Sequence, residues 1–295
     1  MKDKFTYSEC SHCGCVQIVS IPEELGKYYP GHYYSYVNEG EQYIINPSLT
    51  NRVKKFLKKH HTRNLKIASS PIGAIVSLFV KDNLPWLLRN KINFDSRILD
   101  IGCGSGSLLL NMKYNGFNNL SGIDPFIEKN IFYQCGVKIY KESIFEHAGQ
   151  YDFIMLNHSF EHMDNPYEVL KRAYTLLSDE GQLLISIPVA DSYAWRKYKA
   201  NWVQLDAPRH FYLHTTKSMQ LLADECAFQL KEVIYNSTDF QFLGSEKYSR
   251  NLTLLAEHNY FTPDQRQTFK SKAIELNNML DGDSAIFYFS KRDLR

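Results

Sequence analysis

The sequence predicts an α/β protein whose core is a seven-stranded, mostly parallel sheet with helices on both faces. Short apolar runs alternate with helix-like segments between residues 98 and 188, which is the pattern of parallel strands joined by crossover helices. A glycine-rich turn follows the first of these runs, and two more apolar runs near the C-terminus bring the strands to seven. A chain of 295 residues with 44% hydrophobic residues can fill the core that such a sheet requires.

Each predicted strand is a short, mainly apolar run bounded by polar or turn-forming residues. The strands cover residues 97–101, 120–123, 137–140, 151–156, 183–187, 230–235 and 285–289. Asn165 and Pro166 predict an N-cap and a first-turn proline, and Gly181 predicts the loop into the next strand. The helix between them carries one apolar face: Val169, Leu170, Ala173, Leu176 and Leu177. Thr215 or Thr216 caps a later helix.

The chain before the sheet predicts two further segments. Residues 1–45 contain a cysteine cluster and a tyrosine-rich loop, residues 46–90 form a helical cap region, and the α/β domain takes residues 91–295. Pro47 and Ser48 begin a helix whose apolar positions follow helical spacing: Leu49, Val53, Phe56 and Leu57. The basic face of this helix is typical of a solvated surface, with binding of a phosphorylated acceptor or a polyanion as the alternative.

Charge and hydropathy favour a protein without nucleic-acid or membrane partners. The formal net charge of +2 gives no global attraction to polyanions. The polar N-terminus lacks the apolar stretch of a secretory signal, and the longest apolar run, residues 72–80, is too short to span a bilayer. Cys103, Cys135 and Cys226 lie singly within strand or helix patterns, as free thiols do in reducing compartments. We therefore expect a cytoplasmic protein.

The most informative segment is an apolar strand that runs into Gly102, Gly104 and Gly106 and then into a helix. Glycines at such a turn allow positive φ and let backbone N–H groups approach a ligand. The dinucleotide fingerprint G-x-G-x-x-G places its third glycine three residues after the second, whereas here it comes after two, so the spacing argues against NAD. Asp100, two residues before the first glycine, would repel a pyrophosphate but suits a ligand with an ammonium group and a sulfonium.

A second carboxylate follows the next predicted strand. Asp124 lies near the offset from Gly102 at which an acidic residue accepts both ribose hydroxyls of a bound nucleoside. A turn or a helix cap is the alternative for a single aspartate at a strand end. The glycine turn and the carboxylate together favour a nucleoside site.

With these residues the sequence resembles the class I S-adenosylmethionine-dependent methyltransferases, which have a Rossmann-like fold. The resemblance also includes Tyr151-Asp152-Phe153-Ile154, Glu161-His162 and residues 181–188. It implies S-adenosylmethionine as the cofactor, with the glycines under its methionine portion, Asp124 on its ribose, and Glu142 or Ser143 near its adenine. The cofactor-binding residues implied by the resemblance are Asp100, Gly102, Cys103, Gly104, Gly106, Asp124, Ser143, Asn157 and His158.

Three other stretches resemble a subgroup associated with bacterial surface-polysaccharide and modified-sugar synthesis. They are Cys10-Ser11-His12-Cys13-Gly14, the tyrosines from Tyr28 to Tyr36, and Pro208-Arg209-His210-Phe211. The resemblance implies a small-molecule acceptor, namely a sugar or glycan precursor that is phosphorylated or nucleotide-linked. Arg209 would hold a phosphate or carboxylate of this acceptor, and Tyr34 would form part of its wall. The alternative for Arg209 is a surface ion pair, and the alternative for Tyr34 is packing onto the core.

Methyl transfer needs in-line positioning of the acceptor and, for a hydroxyl or ammonium acceptor, a base. His210 is the first candidate for this base, by resemblance to a histidine in this loop of sugar methyltransferases. His162 is the second candidate. The alternative for His210 is a loop histidine that hydrogen-bonds the backbone and has no catalytic role. The H-x-x-E-H spacing from His158 to His162 also fits zinc proteases, but here it follows a core strand of another fold. We assign no metal to these residues, with a divalent ion as the alternative.

The N-terminal cysteines predict reduced thiols. Cys10, Cys13 and Cys15 resemble half of a zinc ribbon, which needs four ligands, and the sequence has no partner pair. Zinc completed by His12 or His32 is the alternative.

The function also has alternatives. A quinone-like or aromatic acceptor is supported by Glu161 and His162 after the fourth predicted strand. A non-catalytic module that binds S-adenosylmethionine would share the same glycine turn. A nicotinamide-dependent oxidoreductase is disfavoured by the glycine spacing.

Overall fold

The computed structural model describes residues 3–29, 92–254 and 260–292, together with Val53, Phe56 and Leu57. The predicted Tyr34 site and most of the predicted helical region 46–90 lie outside the described residues; Val53, Phe56 and Leu57 are helical. The strands are β1 (Tyr7–Glu9), β2 (Val16–Ile18), β3 (Arg97–Ile101), β4 (Asn119–Ile123), β5 (Ile131–Phe132), β6 (Lys138–Tyr140), β7 (Tyr151–Asn157), β8 (Leu177–Pro188), β9 (Tyr212–Leu213), β10 (Phe228–Tyr235) and β11 (Ser284–Lys291). The α-helices are α1 (Ser107–Tyr114), α2 (Pro166–Leu176), α3 (Tyr193–Tyr198), α4 (Thr216–Glu225), α5 (Phe240–Ser249) and α6 (Pro263–Asn278).

Eight of the strands form one sheet in the order β10-β11-β8-β7-β3-β4-β6-β5. In this sheet β3 pairs in parallel with β4 and with β7, and β4 pairs in parallel with β6. The pairs β10–β11 and β5–β6 are antiparallel. The structure therefore confirms the predicted α/β fold with a mostly parallel, Rossmann-like sheet. A separate three-stranded sheet has the order β1-β2-β9, with antiparallel pairing.

Most predicted strands lie within two residues of the observed ones at either end, and β3 covers the predicted residues 97–101. The eighth strand, β5, has only two residues, which is too short for a strand pattern to show in the sequence. The prediction is wrong for β8, which begins at Leu177, so Leu177 is not helical and Gly181 lies within a strand. A Cβ at Gly181 would lie 2.7 Å from Leu177 Cγ, so this glycine allows close packing inside the strand.

The described residues divide into two compact units, and the first consists of residues 92–157 and 172–183 with Val53, Phe56 and Leu57. Its core contains the middle of β3 and of β7, where Ile98, Phe153 and Ile154 have no exposed surface. Strands that are buried on both faces are continuously apolar, which explains why these two strands could be predicted from the sequence.

The second unit consists of residues 3–29, 158–171, 184–254 and 260–292. Its helix α4 is capped as predicted, because Thr215 Oγ1 accepts the Ser218 N–H at 3.0 Å and Ser218 Oγ accepts the Thr215 N–H at 2.8 Å. The fully buried Trp202 donates its indole N–H to Asp283 Oδ2 at 2.9 Å. Burial raises the pKa of Asp283 to about 6.

Within the described ranges, no helix is both long enough and apolar enough to cross a membrane. The cytoplasmic location and the domain boundaries at residues 45 and 90 stay predictions.

We expect Gly122→Ala to lower the free energy of unfolding by about 1–3 kcal/mol, because overpacking a full core forces neighbours to move. A Cβ on Gly122 would lie 2.4 Å from Cys103 Sγ and 2.9 Å from Ile139 Cδ1. The matched control is Gly26→Ala, since no heavy atom lies within 4 Å of a Cβ built there. Urea unfolding of both variants checks the prediction, and equal stabilities would contradict it.

Candidate active site

The glycine turn between β3 and α1 depends on backbone conformations that favour glycine. Gly102, Gly104 and Gly106 have φ values of 76°, 54° and 81°, and Gly106 is the N-cap of α1. A side chain at these positions would be strained in the left-handed region. The Gly102 N–H donates to the Ile123 carbonyl at 2.8 Å, so the turn is attached to the end of β4.

Asp124, one residue beyond β4, contacts the same turn through its carboxylate. Its Oδ2 accepts the Gly104 N–H at 2.8 Å, and its Oδ1 accepts the Phe126 N–H at 2.8 Å. Each carboxylate oxygen has a second lone pair, so both oxygens can still accept a hydroxyl. The predicted ribose-binding residue and the predicted glycine turn are therefore brought together by direct hydrogen bonds.

Asp100 and Asp124 form a buried pair of carboxyl groups at this turn. Their residues are 3% and 7% exposed. Burial, with a contribution from Asp124, raises the pKa of Asp100 well above its usual range, and burial also raises the pKa of Asp124. A bound cation would stabilise both carboxylates. The site therefore fits the ammonium and sulfonium groups of S-adenosylmethionine.

These raised pKa values predict that the affinity for S-adenosylmethionine falls as the pH is lowered. A cationic ligand prefers ionised carboxylates, so protonation of Asp100 or Asp124 below their raised pKa values must weaken binding. Calorimetry between about pH 8 and pH 5 measures this dependence. Adenosine, which lacks both cationic groups, is the control and should show a smaller dependence. Equal dependence for both ligands would contradict the prediction.

Three further residues that were predicted to bind the cofactor lie in the first unit. Cys103 lies within the glycine turn, with its Sγ 3.5 Å from the Gly104 carbonyl oxygen. Ser143 follows β6, and its N–H and hydroxyl both donate to Glu146 Oε2 at 2.8 and 2.7 Å. Asn157 is the exposed last residue of β7. Their roles toward the cofactor stay predictions.

In the second unit, Glu161, His162 and His210 lie close together, and we call them the acid–histidine cluster. Glu161 and His210 are buried, and His162 is half-buried. Glu161 and His162 lie in the short 3₁₀ turn Phe160–His162, and His210 lies before β9. The His162 and His210 rings have centroids 4.7 Å apart. The Phe211 N–H donates to the Glu161 carbonyl at 2.8 Å, which joins the two segments. The structure thus brings the two predicted catalytic histidines together.

Both histidines of the cluster have the same orientation relative to the backbone. His162 Nδ1 is 2.8 Å from the Arg209 carbonyl oxygen, and His210 Nδ1 is 2.7 Å from the Gln204 carbonyl oxygen. A carbonyl only accepts, so each Nδ1 carries the hydrogen and each neutral ring has its lone pair on Nε2. Burial and the neighbouring His162 lower the pKa of His210, which favours this neutral form.

Glu161 is the charged member of the cluster and was not among the predicted catalytic residues. Its residue is 1% exposed. Burial raises its pKa, but interaction with His158 and, in their protonated forms, the charges of His162 and His210 outweigh burial and lower the pKa to about 2. A buried carboxylate that stays ionised among histidines is typical of functional sites. The signals for it in the sequence were the H-x-x-E-H spacing from His158 to His162 and its position after the fourth predicted strand.

His158 and Arg209 lie at the margin of the cluster. His158 has a φ of 53°, is partly exposed, and places Nδ1 3.7 Å from Glu161 Oε1. Arg209 pairs with Asp206 at 2.6 Å, and its guanidinium carbon lies 5.6 Å from the centroid of the Tyr29 ring. The Asp206 carboxylate already compensates the charge that was predicted to hold an anionic acceptor, so that role of Arg209 stays a prediction.

The N-terminal cysteines lie in the turn between β1 and β2. Cys15 is buried with its Sγ 3.9 Å from His214 Nδ1, and Cys10 is exposed. Backbone N–H groups of Cys13 and His12 lower the pKa of the Cys10 thiol. Among the residues described, the acid–histidine cluster is the one set of three side chains placed to share a metal ion.

Comparison with known proteins identifies the family. Residues 53–233, more than half of the chain, match the family model described as "Methyltransferase domain". This match confirms the predicted methyltransferase family and its cofactor, S-adenosylmethionine. It does not confirm the predicted polysaccharide-modification subgroup.

Similar proteins include two curated relatives and a solved structure. The mitochondrial ubiquinone biosynthesis O-methyltransferase of Saccharomyces cerevisiae is 29% identical over 40% of this chain and 43% of its own length. The ubiquinone biosynthesis O-methyltransferase of Marinobacter nauticus is 32% identical over 30% of this chain and 43% of its own length. The crystal structure of an S-adenosylmethionine-dependent methyltransferase from Archaeoglobus fulgidus is 18% identical, covers 67% of this chain and 86% of that chain, and has a TM-score of 0.44.

The chain spans less than half the length of these two curated relatives. The family model, in contrast, includes the glycine turn, Asp124 and the acid–histidine cluster within one continuous match. On this match, the chain belongs to the methyltransferase domain family.

Proposed function

We propose that this protein transfers the methyl group of S-adenosylmethionine to a hydroxyl oxygen of a small aromatic acceptor of the quinol type. The observation that carries the proposal is the acid–histidine cluster, in which the buried, ionised Glu161 carboxylate lies beside the half-buried His162 and the buried His210, whose lowered pKa favours its neutral form. The names of the two curated relatives, both ubiquinone biosynthesis O-methyltransferases, support oxygen as the acceptor atom.

Bound S-adenosylmethionine supplies a methyl group on a sulfonium, which is a good leaving group. The acceptor oxygen forms a bond to the methyl carbon while the carbon–sulfur bond breaks, and the hydroxyl must lose its proton. The Nε2 lone pairs of His162 and His210 can accept that proton, and the Glu161 carboxylate stabilises the positive charge that results. The cluster therefore has the composition that a hydroxyl acceptor requires.

The basicity of the cluster favours an aromatic hydroxyl over a sugar hydroxyl. Burial lowers the pKa of His210, so its ring is a weak base. A phenol, with a pKa near 10, gives up its proton to such a base more readily than an aliphatic alcohol does. The weak basicity of His210 and the names of the curated relatives both favour the aromatic acceptor over the sugar or glycan precursor that the sequence resemblance implied.

An acceptor screen with methyl-labelled S-adenosylmethionine tests the proposal. We expect label in dihydroxybenzene acceptors and little or none in nucleotide sugars. Transfer to nucleotide sugars alone would contradict the aromatic acceptor and would support the sugar acceptor. Tight binding of S-adenosylmethionine without transfer to any acceptor would instead support a non-catalytic module.

A further inference from the structure

We propose that Cys10 and Cys13 form a reversible disulfide that couples the redox state of the surrounding solution to the segment around His210. Both residues are free thiols, of which Cys10 is exposed and Cys13 is half-buried. The Gly14 N–H donates to the Cys10 carbonyl at 2.7 Å, which closes the turn between the two thiols. Their side chains are in hydrogen-bond contact with each other. Two thiols this close need only a small rotation to reach the geometry of a disulfide.

The surroundings of Cys10 favour its thiolate, which is the form that attacks a disulfide. The backbone N–H groups of Cys13 and His12 donate to its sulfur and lower the pKa of the Cys10 thiol. The positive charge of Lys217 acts in the same direction, and its Nζ donates to the His12 carbonyl at 2.6 Å, which holds the charge beside the turn. Cys10 is therefore the attacking thiol, and Cys13 is the thiol that resolves the mixed disulfide.

Cys15, the third cysteine of the hairpin, does not compete in this exchange. It is buried, and its burial raises the pKa of its thiol to about 12, so it stays protonated at neutral pH. Its Sγ faces His214 Nδ1 at 3.9 Å. A buried, neutral thiol is a poor nucleophile, so the exchange is confined to Cys10 and Cys13.

The reaction needs a disulfide as the oxidant, and oxidised glutathione is the simplest one. The Cys10 thiolate attacks one sulfur of the oxidant and forms a mixed disulfide, while the other sulfur leaves as a thiolate. The Cys13 thiol then loses its proton, attacks the Cys10 sulfur and releases the second glutathione thiolate. The two thiols are oxidised, the glutathione disulfide is reduced, and the released thiolates take up the two protons. An excess of reduced glutathione reverses both steps.

The cysteine turn is hydrogen-bonded to the segment around His210. The Tyr7 hydroxyl donates to the His210 carbonyl at 2.9 Å. Thr215 Oγ1 donates to the Cys13 carbonyl at 2.6 Å, and the same oxygen accepts the Ser218 N–H at 3.0 Å as the N-cap of α4. Disulfide formation draws the two sulfurs together and removes the thiolate that the turn N–H groups bond, so the backbone at Cys13 shifts. We therefore expect the Thr215 hydrogen bonds, and with them the first turn of α4, to weaken.

Mass spectrometry of the full chain, equilibrated with reduced and oxidised glutathione, tests the disulfide. We expect the parent protein to lose about two hydrogen masses, with the new bond mapped between Cys10 and Cys13. Cys13→Ser should instead retain glutathione on Cys10, because the resolving thiol is missing, whereas Cys10→Ser should retain several-fold less. Cys135→Ser, at another half-buried thiol, is the matched control and should form the same disulfide as the parent.

Amide hydrogen exchange, measured by NMR on the reduced and the oxidised protein, tests the coupling. We expect the Ser218 amide to exchange roughly 2- to 10-fold faster in the oxidised form, which is the range that loss of one hydrogen bond produces. The Leu110 amide, which donates to the Gly106 carbonyl at 2.9 Å in α1, is the control. It should exchange equally in both forms.

Three results would overturn the inference. They are the absence of a Cys10–Cys13 disulfide at every glutathione ratio, equal exchange of the Ser218 amide in both forms, and one tightly bound zinc per chain that Cys10→Ser loses, because the thiols would then be metal ligands. Circular dichroism establishes that each variant is folded, and the parent protein alone decides the first two results. None of these measurements uses methyl transfer, so their outcome is independent of the proposed function.

Discussion

His210→Gln should lower kcat by about 10²–10⁴-fold, the range typical for loss of a group that promotes proton transfer. The residue is 5% exposed, and its ring stands at 70° to that of His162. Glutamine keeps a polar side chain of similar length but has no imidazole nitrogen to accept a proton. Steady-state kinetics with the acceptor found in the screen measure the effect.

Two further measurements distinguish loss of chemistry from loss of structure. The Kd for S-adenosylhomocysteine should stay within about 2-fold of the parent, because the glycine turn and Asp124 are unchanged. His12→Gln, at an exposed histidine, should keep the parent kcat. If His210→Gln retains the parent kcat while remaining folded, His210 does not take up the proton.

Asp124→Asn should weaken S-adenosylmethionine binding by about 100-fold. Hydrogen bonds to a charged group contribute about 1.5–3 kcal/mol each, and loss of roughly 3 kcal/mol corresponds to about 100-fold in Kd. In the parent protein the Asp124 carboxylate accepts the N–H groups of both Gly104 and Phe126. The asparagine side chain would place its own N–H group against one of these two donors, so that one hydrogen bond would be lost. Both effects act on the ribose site and on the shape of the glycine turn.

Asp152→Asn is the matched control for this substitution. Asp152 belongs to the same unit and accepts hydrogen bonds from Arg97. It lies near the start of β7, at the opposite end of that strand from Asn157, the predicted cofactor residue. Its side chain is 36% exposed, so its ion pair contributes little. We expect its Kd for S-adenosylmethionine to change by less than about 3-fold. Equal effects of both substitutions would show that Asp124 has no special role.

The sequence predicted the central strands well because they are buried on both faces and are mainly apolar. The Arg97–Ile101 strand is observed at its predicted residues. The prediction was wrong at Leu177 and Gly181, where a glycine that packs against a leucine in a strand has the same sequence signature as a loop. The two-residue strand Ile131–Phe132 is too short to leave any periodic pattern.

The site was predictable where its residues are close in sequence or follow a known spacing. The three glycines and Asp124 met this condition, and their hydrogen bonds in the structure fit the predicted nucleoside site. The contact between Glu161 and His210 was not predictable, because 49 positions separate them and no local pattern links the two loops. The pairing of Arg209 with Asp206, three residues away, agrees with the alternative of an ion pair.

We expect the turn after β3, together with Asp124, to bind an adenosyl amino acid. Calorimetry of the unaltered protein with S-adenosylhomocysteine and, separately, with NAD⁺ measures this binding. The expected result is one S-adenosylhomocysteine per chain and no heat of binding for NAD⁺. Binding of NAD⁺ without binding of S-adenosylhomocysteine would contradict it.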